Sequence, residues 1–196
     1  MAWDTEKTKR LLQDAAVAEF AEHGFGGARV DRIAKAAGVN KERIYQYFGN
    51  KEQLFATVLD CELAKLARAV PLTPEAAADL PEHVGRVYDY HVAHPHFARL
   101  LHWEALELGG DRALPAEQER TAHYANKAAA IAGAQKAGAV DGALDARVLM
   151  MAVVSLAQMW NALPQVARML MPVTGQDGPE TRRAAVVALA AKIAAP

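Results

Sequence analysis

The chain has a single cysteine, Cys61, which excludes an intramolecular disulfide and leaves no second sulfur for a zinc or redox site. Cys61 therefore reads as a small apolar residue on a helix. Long apolar runs are also missing. The richest stretch, Val148–Leu163, has the length of a buried helix rather than the roughly 18 or more uncharged residues of a membrane span. No basic-then-apolar leader precedes Trp3, so the expected location is the cytoplasm, with no membrane partner. Nucleophile elbows, phosphate loops and paired metal motifs are absent as well, which argues against an enzyme. Net charge is scarce at -1 over 196 residues, so a diffuse basic field cannot attract nucleic acid. That charge is uneven, however. Residues 1–51 carry nine bases against seven acids, a local +2, so any DNA affinity rests on a few well-placed contacts.

Strand-like alternation persists nowhere, whereas Ala, Leu, Glu, Lys and Arg recur at helical spacing between Gly and Pro. With 52% hydrophobic residues the chain can bury a sizeable core. The pattern predicts an all-α protein of about nine helices, near residues 5–23, 30–37, 41–48, 51–70, 81–93, 95–108, 115–137, 144–163 and 179–195. Gly24 stops the first, and Asn50 caps the fourth with Gln53 reaching back. Pro81, Pro95, Pro115 and Pro179 suit first-turn positions. Pro164 is expected to end the eighth helix, leaving Gln165–Met171 irregular before a Thr174–Gly178 loop.

The most informative stretch is Ala28–Leu54, ARVDRIAKAAGVNKERIYQYFGNKEQL. Ile33, Ala34 and Ala37 give one short helix an apolar face with small side chains, suited to a steep close crossing. Gly38 supplies the positive φ of a tight turn, Val39 plugs the angle, and Asn40 is expected to cap the next helix. There Ile44 and Phe48 face inward while Lys41, Arg43, Tyr45, Gln46 and Tyr47 face out. A short helix with such a face can enter the major groove, where Arg or Lys reads guanine, Gln reads adenine and Tyr meets thymine methyls or phosphates.

These residues resemble the TetR family. The matching positions are Ala15-Ala16, Phe20, Gly24-Phe25, Val30, Ile33-Ala34, Ala37-Gly38-Val39, Ile44-Tyr45, Tyr47-Phe48, Lys51-Glu52 and Leu54. The resemblance implies a three-helix helix-turn-helix DNA-binding domain over residues 1–50 and a helical ligand-binding and dimerisation domain over 51–196. It implies that Lys41–Phe48 is the recognition helix, that Tyr47 and Lys51 hold the DNA backbone, and that a residue opening Val30–Ala37 touches phosphate. Three positions depart from the family pattern. Arg29 stands where a capping Ser or Thr is usual, so a phosphate contact there would be ionic. Glu42 and Arg43 replace a small pair, with Arg43 placed to read guanine. Glu42 either orients Arg43 or Lys41, or accepts a bond from cytosine N4.

In the remainder, two regions offer adaptable apolar walls with polar groups to orient a ligand. One is Tyr88-Asp89-Tyr90-His91 through Phe97, His102 and Trp103. The other contains Met150-Met151, Met159-Trp160-Asn161 and Met169–Met171, and Tyr124 joins the candidate lining. His91, His94, His96 and His102 form no helical i, i+4 pair across Pro95, so neither a metal nor a cofactor is expected. The scarcity of arginine clusters in this half points to a neutral or weakly polar, aromatic or lipophilic effector. Val, Leu and Ala faces on Leu144–Leu163 and Arg183–Ile193 suit a four-helix homodimer interface, and symmetry then predicts a palindromic double-stranded operator. Two other functions compete with this one: an enzyme using the His- and Trp-lined region, and a protein-interaction module with a vestigial helix-turn-helix.

Overall fold

The computed structural model of the chain describes residues 4–109, 117–171 and 178–195. Among them are eleven helices and no strand: α1 (Thr5–Gly27), α2 (Val30–Ala37), α3 (Glu42–Phe48), α4 (Lys51–Ala69), α5 (Pro74–Ala78), α6 (Leu80–Ala93), α7 (Pro95–Leu108), α8 (Glu117–Lys136), α9 (Ala146–Ala162), α10 (Pro164–Leu170) and α11 (Pro179–Ala194). The all-α expectation holds, but the count of about nine is corrected by two short helices, α5 and α10. Both open on a proline, Pro74 and Pro164, the second of which was expected to end a helix. In fact each proline occupies the first turn, where its missing N–H is not needed. Thr73 caps α5 by accepting the Ala76 N–H at 3.2 Å. Of the segment expected at 115–137, residues 115–116 lie outside the described residues, as does most of the expected Thr174–Gly178 loop.

The helices gather into two compact units, residues 1–64 with 95–117, and residues 65–94 with 118–196. The first unit is built on α1. Asp4 caps it through the Lys7 N–H at 3.0 Å, and Leu12, Ala16 and Phe20, four apart, are fully buried. Ile33, Ile44, Leu54, Phe55, Val58, Leu59 and Leu100 complete that core. Phe20 meets Phe55 edge-on at 4.9 Å, and full burial of each such side chain contributes about 2–3 kcal/mol.

Gly24 does not simply stop α1. It breaks the helix with φ 66°, after which one more turn runs to Gly27. The break is covered by α7, whose Trp103 ring sits so close that a Cβ on Gly24 would lie 2.6 Å from its Cδ2. Arg99 on the same helix donates to the Ala21 carbonyl at 2.6 Å and the Glu22 carbonyl at 3.2 Å. Carbonyls freed by the break thus receive donors from a distant helix.

In the second unit α6 packs on α9 and α11. Leu80, Val84, Val87, Tyr88, Leu149, Val153, Ala157, Val186 and Ala190 are buried. One end is closed by the Asp141 N–H on the Ala194 carbonyl at 3.0 Å, and by Gln135 donating to the carbonyls of Asp141 and Leu144. Elsewhere Arg183 donates to Asp89 at 2.8 Å and Glu82 at 2.6 Å.

Candidate nucleic-acid interface

The turn between α2 and α3 forms as the residues require. Gly38 takes φ 65° and ψ 30°, and the Val39 N–H returns to the Ala34 carbonyl at 3.0 Å, closing α2. Asn40 contributes less than expected. α3 starts at Glu42, one residue later than anticipated, and the Asn40 side chain accepts the Glu42 N–H only at a long 3.4 Å. Asn50 does cap α4, accepting the Gln53 N–H at 2.8 Å.

Arg29 precedes α2 in extended conformation, and its side chain makes no capping bond. A carboxylate from α1 takes over part of that role. Glu19 accepts the Arg29 backbone N–H at 2.8 Å and the Arg32 Nε at 2.8 Å, while Arg32 also donates to the Gly27 carbonyl. Burial acts to raise the Glu19 pKa, but the Arg32 and Arg29 hydrogen bonds together outweigh it, and the pKa is lowered. The Arg29 guanidinium is left exposed.

On α3 only Ile44 is fully buried. Lys41, Glu42, Tyr45 and Gln46 are exposed, and Arg43, Tyr47 and Phe48 are half-buried. Arg43 Nη1 donates to Gln46 Oε1 at 2.7 Å, a one-turn pair that holds the guanidinium along the outer face. Lys41 Nζ pairs with Asp31 of α2 at 3.2 Å, and the hydrogen bond and charge of Asp31 raise its pKa. Lys51 Nζ lies 4.7 Å from the Phe25 ring centre and Lys9 Nζ 5.8 Å from that of Tyr47, both within cation–π range. All eight DNA-contact candidates thus fall in one unit, and six of them lie along α3 or immediately before it. Glu19 and Asp31, which set the posture of Arg29, Arg32 and Lys41, carry no local sequence signal for that role.

The effector-facing candidates are divided between the two units. Phe97, His102 and Trp103 lie in the first unit; Phe97 is fully buried there, and the Trp103 Nε1–H points to the Ala21 carbonyl at 3.4 Å. In the second unit Tyr88, His91 and Trp160 are buried, while Tyr124 and Met151 are exposed at 38% and 67%. Met159 borders an open apolar groove of about 410 Å³ with Val154, Leu156, Ala162 and Leu163. Sequence reasoning passed over His83, which is 1% exposed, and whose Nδ1 has no hydrogen-bond partner among the described residues. Burial, then the charges of Lys127 and Arg86, lower its pKa to about 4. Burial also lowers the pKa of Lys127.

Comparison with known proteins bears on both units. Residues 12–58 match the family described as bacterial regulatory proteins, tetR family, and residues 79–192 match the tetracyclin repressor-like C-terminal domain. The chain is 45% identical over 170 residues to the HTH-type transcriptional repressor SCO4008 of Streptomyces coelicolor, covering 87% of this chain and 86% of that protein. It is 37% identical over 112 residues to the HTH-type transcriptional repressor NicS of Pseudomonas putida, covering 55% and 53%. Among solved structures, the transcriptional regulator SCO4942 of Streptomyces coelicolor superposes with a TM-score of 0.84 at 35% identity, over 96% of this chain and 98% of that one.

Proposed function

The chain belongs to the TetR family of bacterial transcriptional regulators, and from that premise we propose that it is a homodimeric repressor released from a palindromic operator by a small lipophilic or aromatic effector. DNA-binding repression follows from the family and from the 45% identical repressor. The observation that carries the reading of the operator is the outer face of α3, where Arg43 is held by Gln46 beside Lys41 and Tyr45. Arg43 reads guanine, Gln46 fixes its direction, and Glu42 sits where it can favour cytosine on the opposite strand. Arg29, Tyr47 and Lys51 hold phosphates. The division of labour falls near residues 50/51, with base reading before it, Lys51 at the boundary still on phosphate, and sensing after it.

Dimerisation is supported by an apolar surface on one stretch of chain. Val148, Met151, Leu163, Val166, Met169 and Leu170 are 40–73% exposed on α9, α10 and the residue between them, a concentration of exposed apolar side chains suited to an interface. Isologous pairing of that face sets two α3 helices on successive major-groove turns. Effector binding shifts the spacing of those helices and lowers operator affinity by its differential affinity for the two states. No single described helix is long and apolar enough to cross a membrane; α9 with α10 reaches the length but bends by 75°. A regulator working on DNA acts in the cytoplasm, and none of these steps calls for an enzyme's nucleophile.

The test is fluorescence-anisotropy binding to DNA from upstream of the gene, at two salt concentrations, for the wild type and Arg43→Ala. Saturable, salt-sensitive binding weakened roughly tenfold or more in the variant is expected, the equivalent of about 1–3 kcal/mol for one base contact. Equal affinity for random and upstream DNA would overturn the operator reading, and an unaffected Arg43→Ala would remove its key residue.

A further inference from the structure

Two buried nitrogens of the second unit lack hydrogen-bond partners among the described residues: His83 Nδ1 on α6 and Trp160 Nε1 on α9. Their residues are 1% and 8% exposed. A buried donor without a partner weakens a fold unless something supplies the missing acceptor, and a Trp Nε1–H can only donate. Contacts place both at the same end of this unit. Arg182 stacks over the Trp160 ring at 5.1 Å. Its neighbour Arg183 binds Glu82, adjacent to His83.

Positive charge collects around this pair. Lys127 of α8 acts electrostatically on His83, as does Arg86, and Lys127 Nζ sits 5.9 Å from the Tyr124 ring centre. The acids on α6, Glu82 and Asp89, are already engaged by Arg183.

We propose that this end of the second unit anchors a single carboxylate on an otherwise apolar effector, received by Trp160 Nε1–H, the Lys127 ammonium and the His83 imidazole. An acidic group gives the Trp160 Nε1–H the acceptor it lacks, accepts from His83 Nδ1 in its Nδ1-protonated tautomer, and offers the buried Lys127 ammonium a charge partner. The inference rests on the regulator reading above. It replaces the neutral effector expected from sequence with an amphiphilic monoanion, because the relevant donors come from separate helices rather than from an arginine cluster.

The test uses the full chain labelled with ¹⁵N-tryptophan and two acids, 4-phenylbutyrate and decanoate, each against its alcohol. Both acids are expected to move the Trp160 indole resonance, identified by its loss in Trp160→Phe, at concentrations at least tenfold below those the alcohols need. Lys127→Met should erase that preference. His83→Phe should weaken acid binding at least tenfold while raising the ligand-free Tm, since it fills the space without a polar atom. Alcohols acting as well as acids, neither acid acting, or His83→Phe lowering the Tm with acid binding intact would each overturn the proposal. Upstream-DNA binding by the same ligand-free proteins separates the two readings. If DNA binding persists while the acids fail, only the anchor falls; if wild-type DNA binding is absent, the regulator reading falls first.

Discussion

Gly24 and Gly38 have nearly the same φ, 66° and 65°, but different surroundings. Nothing lies within 4 Å of a Cβ added to Gly38, whereas at Gly24 it meets the Trp103 ring at 2.6 Å. Gly38→Ala should therefore cost only the left-handed backbone penalty of about 1–2 kcal/mol. Gly24→Ala adds the displacement of an indole packed in place and should cost about 3 kcal/mol or more. Urea denaturation of the two variants checks the order, and equal losses would show that Trp103 moves aside freely. Asp31 sets a second expectation at this scale. It pairs with Lys41 at 3.2 Å, and on the proposed DNA-facing surface it would withhold one cation from phosphate and repel the backbone itself. Asp31→Asn should tighten DNA binding several-fold and steepen the slope of log Kd against log salt by about one unit. A flatter slope would mean that Lys41 needs Asp31 to hold its position.

Between elements, Glu19 is the tie from α1 to the start of α2, through the Arg29 N–H and the Arg32 guanidinium. Its pKa is lowered in the folded chain, so its contribution is fully present above the unfolded carboxylate value and fades as pH falls through the folded one. Glu19→Gln should thus be less stable than wild type at pH 7, with the difference closing below about pH 4. Thermal melts of both proteins from pH 7 to pH 3 measure this, and a gap independent of pH would assign the effect to packing. The same tie explains how α2 opens on Arg29 without a Ser or Thr cap. The carboxylate that serves there arrives from another helix, leaving the Arg29 side chain exposed.

For the molecule as a whole, the proposed pairing face on α9 and α10 sets the expectation. Val148 and Met151 stand one turn apart on α9, exposed at 55% and 67%. Met151→Lys places a charge on that face without touching the buried row of Leu149, Val153 and Ala157. Helical circular dichroism should be unchanged, sedimentation should show a monomer, and operator affinity should fall at least tenfold because each headpiece then binds alone. A dimer that survives the change would move the interface elsewhere, with Leu189 of α11, 44% exposed, the next surface to test.

The sequence by itself determined the helices and the reading head. Periodicity, caps and the Gly38 turn depend on residues a few positions apart, so α2, α7 and the outward set Lys41, Arg43, Tyr45 and Gln46 were legible before any packing was known. Prolines were legible only in part, since a first-turn Pro looks the same whether it opens a short helix, as at Pro74 and Pro164, or ends the preceding one. Tertiary structure decided everything that joins distant positions. It brought Glu19 to Arg29, turned Arg99 and Trp103 onto the break at Gly24, and packed Phe97 and Trp103 into the first unit. It also set His83 within the field of Lys127. Such contacts are fixed by the angles and distances at which whole helices pack, and no local pattern of residues encodes them.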